Sequence, residues 1–402
     1  MPALLIARGR GQRAGSRLFP ARAGQLLHAD LHNHTVLSDG DGWAEDAFGS
    51  MRAAGLDVAA VTDHAYGISE PTKTIDDDDW RKLGKLADAA DEPGRFVAVR
   101  GFEWSSPTLG HINIWGGRSF VEPLPLRTDG VPAGRAIADE GPPGAPAAIV
   151  ALYDWLAGRD GDELVGFNHP GREKGRFGLF RYDHRLAERM VSLEMFNRDE
   201  DYLYERVDTG TTSPLVACLD AGWRVGLVGV TDEHRTRWGF HEGLGRTGLW
   251  ARSRDRHGVR DAMLRRRMFA TRERGLRVDA TANGVPMGGT LPLAHTGTVK
   301  FRLEFGAGPD WTGHPLRLQV LQSGSPMPAV VAELDFPVPR GKLVTCTARV
   351  DPGHGGWLVL RISDPARPAD RRAAGFADYR SSGRSIAYLS PFFLDPRLAG
   401  RA

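Results

Sequence analysis

The sequence predicts an α/β protein in two parts: a barrel of alternating strands and helices, then a small all-β sandwich. Three observations predict it. From Leu26 to about Arg274, short apolar runs alternate with amphipathic stretches, the pattern of a sheet wound with helices. From about Gly275 the helical patterns stop, and strands of period two follow one another with turn residues between them, as in a sandwich. At 402 residues, the chain is long enough for two domains of unequal size. The expected divisions are a loosely ordered, Arg-rich arm over 1–24, the barrel over 25–274 and the sandwich over 275–402.

In chain order, the first part offers "LLHADLH", "VAAVTDH", "FVAVRGFEW", "HINIW", "LVGFNHP", "VSLEMFN", "VGLVGVTDEH" and "TGLWARS" as strands. "WAEDAFGSMRAAG", "DDWRKLGKLADAA", "PAAIVALYDWLAG" and "SPLVACLDAGW" read as helices between them, and "RDAMLRRR" closes the series. This alternation argues for a parallel sheet, and so many units suggest a closed barrel. The acidic run "TIDDDDW" is expected to start a helix, because Asp77 to Asp79 complement a helix N-terminus. In the second part, Asn283-Gly284 lies between alternating residues and signals a type I′ hairpin. Phe301, Leu303 and Phe305, like Leu316, Leu318 and Val320, alternate as half-buried strands do.

Composition narrows the class. A net charge of +2 provides no global field for nucleic acid, so a nucleic-acid partner is disfavoured. The two cysteines, Cys218 and Cys346, form no CxxC pair and argue against a disulfide framework. No stretch resembles a membrane span or a signal peptide. A cytoplasmic enzyme acting on a small molecule is the expectation; oligomeric state is left open.

The polar residues at the strand ends carry the chemistry. "DLHNHTVLSDG" supplies His32, His34 and Asp39; "VTDH" supplies Asp63 and His64; "GFEW" supplies Glu103. "GHINIW" begins with His111, "NHP" holds His169, "SLEMFN" holds Glu194, and "TDEH" holds Asp232 and His234. In a parallel barrel the carboxyl ends of the strands share the face where active sites are built. A lone strand-end histidine is ordinarily a hydrogen-bonded structural residue. The HxH pair, repeated in spacing by Asp232 and His234, makes metal ligation the better reading of the set. Imidazole with a few carboxylates suits Zn, Mn or Fe rather than Ca or Mg. Glu103, standing alone among histidines, is the candidate bridge between two ions.

"DLHNHTVLSDG", "VTDH", "GFEW", "GHINIW", "NHP" and "TDEH", in that order, resemble the PHP (polymerase and histidinol phosphatase) metal-dependent hydrolases over about Leu26 to Arg274. The later "RRRMFATRERGLRVDATANGVPMGG" and "LSPFF" are similar to the carbaryl-hydrolase-like (CehA/McbA) branch. The resemblance implies a distorted (β/α)7 barrel with two or three divalent metal ions. His32, His34, Glu103 and Asp232 would hold the first. Glu103, His111 and His169 would hold the second, and Asp39, His64 and His234 the third. Asp63 and Glu194 are not ligands in that scheme. Asp63 is instead expected to orient a metal-binding imidazole.

A metal-bridged hydroxide would then be the nucleophile of a hydrolase. Arg172, Lys174, Arg176, Arg198, Arg235 and Arg237 lie near the strand ends. Guanidinium groups beside a metal cluster suit a phosphate ester, and Arg172 and Arg198 are the candidates to bind it. The leading expectation is a phosphoesterase acting on a small phosphorylated metabolite or nucleotide. Trp43, Trp104 and Trp115 are each expected in core packing when taken singly; at the rim they would instead wall an aryl carbamate or carboxylic ester. A non-catalytic, metal-stabilised binding module is the third reading.

Overall fold

The computed structural model describes residues 24–65, 74–121, 147–239, 244–306, 311–338 and 343–398. The arm expected over 1–24 therefore lies outside the described residues, apart from Gly24. The first part is built from β1 (Gln25–Asp30), α1 (Ala44–Ala53), β2 (Val58–Val61), α2 (Asp77–Ala90), β3 (Val97–Ser106), β4 (Gly110–Trp115), α3 (Ala147–Ala157) and β5 (Leu164–Phe167). It continues with β6 (Met190–Asn197), β7 (Glu200–Asp201), α4 (Pro214–Asp220), β8 (Gly226–Val230), β9 (Arg246–Ala251), α5 (Arg256–Leu264) and β10 (Met268–Thr271). The acidic run does start α2. Asp76 accepts hydrogen bonds from the backbone of Asp78 and Asp79 at 2.8 and 2.9 Å, satisfying amides that the first helical turn leaves free.

The fold is mixed α/β. β1, β2 and β3 pair in parallel, as do β5, β6 and β8. β4, however, runs antiparallel to both β3 and β5, and β9 and β10 extend the sheet antiparallel beyond β1. This corrects the all-parallel expectation. Only Pro107 to Leu109 separate β3 from β4, too few residues for a parallel crossover. The reversal explains why His111 stands at the start of its strand whereas Glu103 lies toward the end of the preceding one. At the site end β1 and β8 also meet, through a parallel bridge between Asn33 and Glu233 and the Thr231 amide donating to Asp30 at 3.1 Å.

The second part is mostly strand, with a few short helical turns: β11 (Arg277–Ala282), β12 (Val285–Pro286), β13 (Thr290–Leu291), β14 (Gly297–Gly306), β15 (Pro315–Gln322), β16 (Ala329–Pro337), β17 (Leu343–Val350), β18 (Trp357–Asp364), α6 (Ala377–Arg380) and β19 (Arg384–Leu394). Asn283 and Gly284 turn β11 into β12 with φ of 47° and 87°, the positive pair that a type I′ turn demands. β12, β11, β14 and β17 form one sheet, while β16, β15, β18 and β19 join the large sheet through β19 and β10. Side chains from both sheets share one apolar cluster, including Val278, Phe301 and Leu303 from one and Leu318, Leu360 and Phe392 from the other. Among the described residues, no helix is long and apolar enough to cross a membrane.

His28, within β1, shows what burial does to a titratable group in this sheet. Burial, aided by Arg246, Arg277 and Arg274 and opposed by Asp57, lowers its pKa from 6.5 to about 4. A folded-state pKa below the unfolded value means that the neutral ring is favoured in the fold. The associated stability is therefore present above pH 6.5 and lost as pH falls toward 4. Unfolding free energy is expected to drop by about 2–3 kcal/mol more in the wild type than in His28→Gln between about pH 7.5 and 4.5. Urea titrations at the two pH values check this; equal drops would contradict it.

Candidate metal centre

Alternation along the extended segment after β1 puts His32 and His34 on one face. Asn33, between them, donates to Ala60 O at 3.1 Å and accepts from Thr231 Oγ1 at 3.2 Å, so the segment is tied to β2 on one side and to the end of β8 on the other. The turn that follows carries Asp39. It is held by Asp63, whose buried carboxylate accepts from Thr35 N at 2.7 Å, Thr35 Oγ1 at 2.8 Å and Ser38 Oγ at 2.6 Å. Gly40 closes this turn, where a Cβ would sit 2.8 Å from the His34 carbonyl carbon. Asp63, expected on an imidazole, thus positions the Asp39 turn instead. The carboxylate on an imidazole's outer nitrogen is Glu194, 2.8 Å from His32 Nδ1. Its other oxygen accepts from the His169 amide at 2.7 Å and from Asn197 Nδ2 at 2.9 Å.

Glu103, fully buried, lies at the middle of the cluster. Its Oε1 is 3.2 Å from His32 Nε2, 3.2 Å from His111 Nδ1 and 3.3 Å from His169 Nε2. Its Oε2 is 2.8 Å from His64 Nδ1 and 3.6 Å from His34 Nε2. Asp232 Oδ1 lies 3.3 Å from His32 Nε2 and 3.2 Å from His34 Nε2. On the outer side, Asp39 Oδ1 is 3.5 Å from His64 Nε2 and 3.3 Å from His234 Nε2. Every residue expected as a ligand is therefore in one connected cluster. Asp39 and His234 are partly exposed at 27% and 25% of their side chains, so solvent reaches the cluster from their side.

The grouping of donor atoms differs somewhat from the expected partition. Atoms within 4.8 Å of one another form three sets: His34, Asp39, His64 and His234; His32, His34 and Asp232; and His64, Glu103 and His111. His34 and His64 are each shared between two sets. Side chains not expected at the site also reach the cluster, Asn168 and Glu173 among them. Asn168 Nδ2 donates to Glu103 Oε1 at 2.6 Å. Glu173 lies 3.9 Å from His111 and 3.7 Å from His169. The signal for both is in the chain, since Asn168 precedes His169 and Glu173 follows it by four residues in "NHPGREKG".

Electrostatics polarise the cluster. Burial works against the charged ring of His32, but Asp232, Glu103 and Glu194 outweigh it and hold its pKa well above the ordinary value. His34 goes the other way, because burial and the neighbouring His234 and His64 press its pKa well below. Burial also opposes protonation of His64, yet Glu103 and Asp39 lift it to about 10. His111, where burial wins, falls to about 4. Glu103 and Asp232 are held well below the carboxylate range by the imidazoles around them, despite their burial.

These donors fit divalent cations. His34 Nδ1, His169 Nδ1, Asp39 Oδ1 and Glu173 Oε2 are buried without a hydrogen-bond partner, and each belongs to a cluster residue. The Nε2 atoms of His32 and His34 face each other at 3.0 Å, with Asp232 beside both. Nitrogen and carboxylate oxygen in this mixture match the preferences of Zn, Mn or Fe. Backbone strain occurs here as it does elsewhere in the chain. His169, Arg198 and Asp232 have φ of 25°, 53° and 48°, conformations that a non-glycine residue keeps only where its surroundings enforce them.

The flanking arginines separate clearly. Arg172 Nη2 lies 3.2 Å from His111 Nδ1 and Arg198 Nη2 lies 2.9 Å from His234 Nδ1, with 44% and 50% of their side chains exposed. Arg176 instead donates to Thr212 O and Glu205 O at 2.7 and 3.2 Å, away from the cluster. Lys174, Arg235 and Arg237 are exposed. Trp104 and Trp115 are 1% and 4% exposed and belong to the apolar core, whereas Trp43 is 64% exposed.

No family model matches this sequence, and no curated protein matches it. Similar solved structures exist. One is a two-domain protein from Bacteroides vulgatus described as containing a PHP-like metal-dependent phosphoesterase, with 15% identity and a TM-score of 0.43, covering 90% of this chain and 94% of that one. Another, from Bifidobacterium adolescentis, is described as a metal-dependent phosphoesterase, with 16% identity and a TM-score of 0.31 over 58% of this chain and 95% of its own. A third is an amidohydrolase from Chromobacterium violaceum, solved with bound sulfate and no metal, with 15% identity and a TM-score of 0.27 over 52% and 87% of the two chains. At these values the likenesses assign no family.

Proposed function

We propose that the chain is a multinuclear metal-dependent hydrolase of the PHP type, and that it cleaves phosphate esters of a small metabolite or nucleotide. The observation that carries this reading is Glu103, a buried carboxylate whose two oxygens face separate sets of imidazoles. His32, His34, Asp232, His111, His169, His64, Asp39 and His234 would hold two or three cations of Zn, Mn or Fe. Bound there, such cations acidify water and neutralise negative charge that develops on the substrate. Glu194 keeps the His32 ring oriented and its Nε2 directed inward, and Asn168 fixes the Glu103 carboxylate. Asp63 keeps the Asp39 turn in place.

Arg172 and Arg198 favour a phosphoryl group over an aryl ester. Both guanidinium groups touch the cluster's imidazoles and remain half exposed, placed to receive anionic oxygens. Burial of Trp104 and Trp115 leaves little aromatic wall for an aryl carbamate, the substrate that the CehA/McbA resemblance would suggest. The finer architecture belongs to the same proposal: a distorted (β/α)7 barrel to about residue 274, followed by a β-sandwich. The parallel steps β1–β2–β3 and β5–β6–β8 support it, as does the bridge between Asn33 and Glu233. Cys218 and Cys346 are free thiols, which suits a reducing, cytoplasmic setting.

The test is an assay of p-nitrophenyl phosphate, 1-naphthyl acetate and carbaryl before and after chelation, with elemental analysis of the protein. Phosphatase turnover that disappears with the metal and returns on its addition is expected. Arg172→Ala is expected to lower kcat/KM for the phosphate ester about 10–100-fold. Turnover of the naphthyl ester or carbaryl alone would favour the ester reading, and metal without turnover of any of the three would favour the binding module.

A further inference from the structure

A cavity of about 480 Å³ lies between α2, α5 and the ends of β3 and β4 farthest from the histidine cluster. The separation follows from pairing. Gly101 is opposite Trp115 and Ser105 is opposite His111, so Val99, Arg100 and Trp115 mark one end of this hairpin and the metal ligands the other. The cavity floor is apolar, formed by Leu31, Val99, Trp115, Leu164, Val259 and Met263, and Leu31, whose side chain alternates with that of His32, is its nearest approach in sequence to the cluster. The cavity's volume is that of pockets enclosing small organic ligands.

Five basic side chains and two carboxylates line the same space. Arg81 is paired with Asp78, and Arg256 with Asp88. The other three cations have no carboxylate partner among the described residues. Arg260 donates to Gly161 O at 2.9 Å, and Lys85 is exposed on α2. Arg100 is fixed more firmly. Its guanidinium lies over the Trp80 ring at 3.9 Å from the centroid and donates to Trp80 O and Gly117 O at 3.2 and 2.8 Å. Room for it comes from Gly84 within α2, where a Cβ would approach Arg100 Nη1 to 2.6 Å. A glycine inside a helix is destabilising, and here it seats a half-buried guanidinium that makes no ion pair among the described residues, the Asp88 carboxylate acting on it only at longer range.

We propose that this cavity is a second ligand site, independent of the histidine cluster, for a small amphipathic carboxylate. The apolar body, of roughly eight to ten carbons, fills the floor, and the carboxylate meets Lys85, Arg100 and Arg260 at the rim. Unpaired cations beside buried apolar surface select for this combination. A neutral alcohol of the same length loses the charge-assisted hydrogen bonds, and a short acid loses the apolar burial.

Calorimetric titration of the protein as purified with octanoate, octan-1-ol and acetate tests the proposal. Octanoate is expected to bind once, with a Kd on the order of 100 μM, about tenfold more tightly than octan-1-ol, with acetate silent. The carbon-13 methyl resonance of Met263 is expected to shift on octanoate addition. Lys85→Glu combined with Arg260→Ala should weaken octanoate at least about tenfold. Equal binding of acid and alcohol would overturn the proposal, as would an unmoved Met263 resonance or a folded variant that binds like the wild type. Binding that vanishes on chelation would overturn it too, because the carboxylate would then sit on the histidine cluster.

Discussion

Glu103→Gln is expected to reduce the proposed phosphatase turnover about a thousandfold or more, with a fall in bound metal measured on the same sample. The amide has nearly the shape of the carboxylate, so packing should survive. What changes is charge and donor identity. Glu103 Oε1 faces His32, His111 and His169, and Oε2 faces His64. An amide can offer one neutral oxygen to one of these sets and must turn its NH2 toward the other. Asn168, which now donates to Oε1 at 2.6 Å, would also oppose any rotamer that puts the NH2 there.

Glu194→Gln is the informative comparison. Glu194 holds His32 from behind and the His169 amide from the side, so it acts on the cluster only through other residues. Loss of such an outer partner costs about 10–100-fold in metal affinity or activity. The expected outcome is a much larger loss for Glu103→Gln, with Glu194→Gln restored in part by excess metal. Equal losses, or full metal content in Glu103→Gln, would defeat the bridging assignment.

The largest expected effect on stability is outside the histidine cluster. Arg361, in β18, is completely buried. It donates to Ser385 Oγ at 3.0 Å, Gln319 Oε1 at 2.7 Å, Ser382 Oγ at 2.7 Å, Tyr204 OH at 3.1 Å and Gly383 O at 3.1 Å. Tyr388 OH links the same network to the buried Asp201 carboxylate at 3.0 Å. One guanidinium thus joins the segment after β6 to β15 and β19. Its removal would leave several buried acceptors empty and a buried carboxylate without its neighbouring cation.

Arg361→Leu is accordingly expected to destabilise the protein by about 3–5 kcal/mol, read from urea unfolding with metal content held constant. Arg361→Lys should recover little. A compact ammonium has three donors and lacks the planar fork that reaches Gln319, Ser385 and Tyr204 together. A loss below about 1 kcal/mol for the leucine variant would show that the network is dispensable.

Local patterns carried much of this structure into view from the amino-acid order alone. The Asp76–Asp79 helix start, the Asn283-Gly284 hairpin and the alternation of Phe301, Leu303 and Phe305 depend only on backbone geometry over a few residues. His32 and His34 were legible for the same reason, because a strand puts alternate side chains on one face. The rest was decided by segments distant in sequence. Loop length turned β4 antiparallel and brought His111 to the cluster from its strand's beginning. Packing drew Arg176 to carbonyls away from the histidine cluster, and gave Asp63 to the Asp39 turn while Glu194 took the imidazole. Glu173, Asn168 and Arg361 acquire their roles only from partners that folding supplies. Side-chain period is a property of the local chain, whereas the partner of a buried charge is chosen by whichever distant residue burial brings within hydrogen-bond reach.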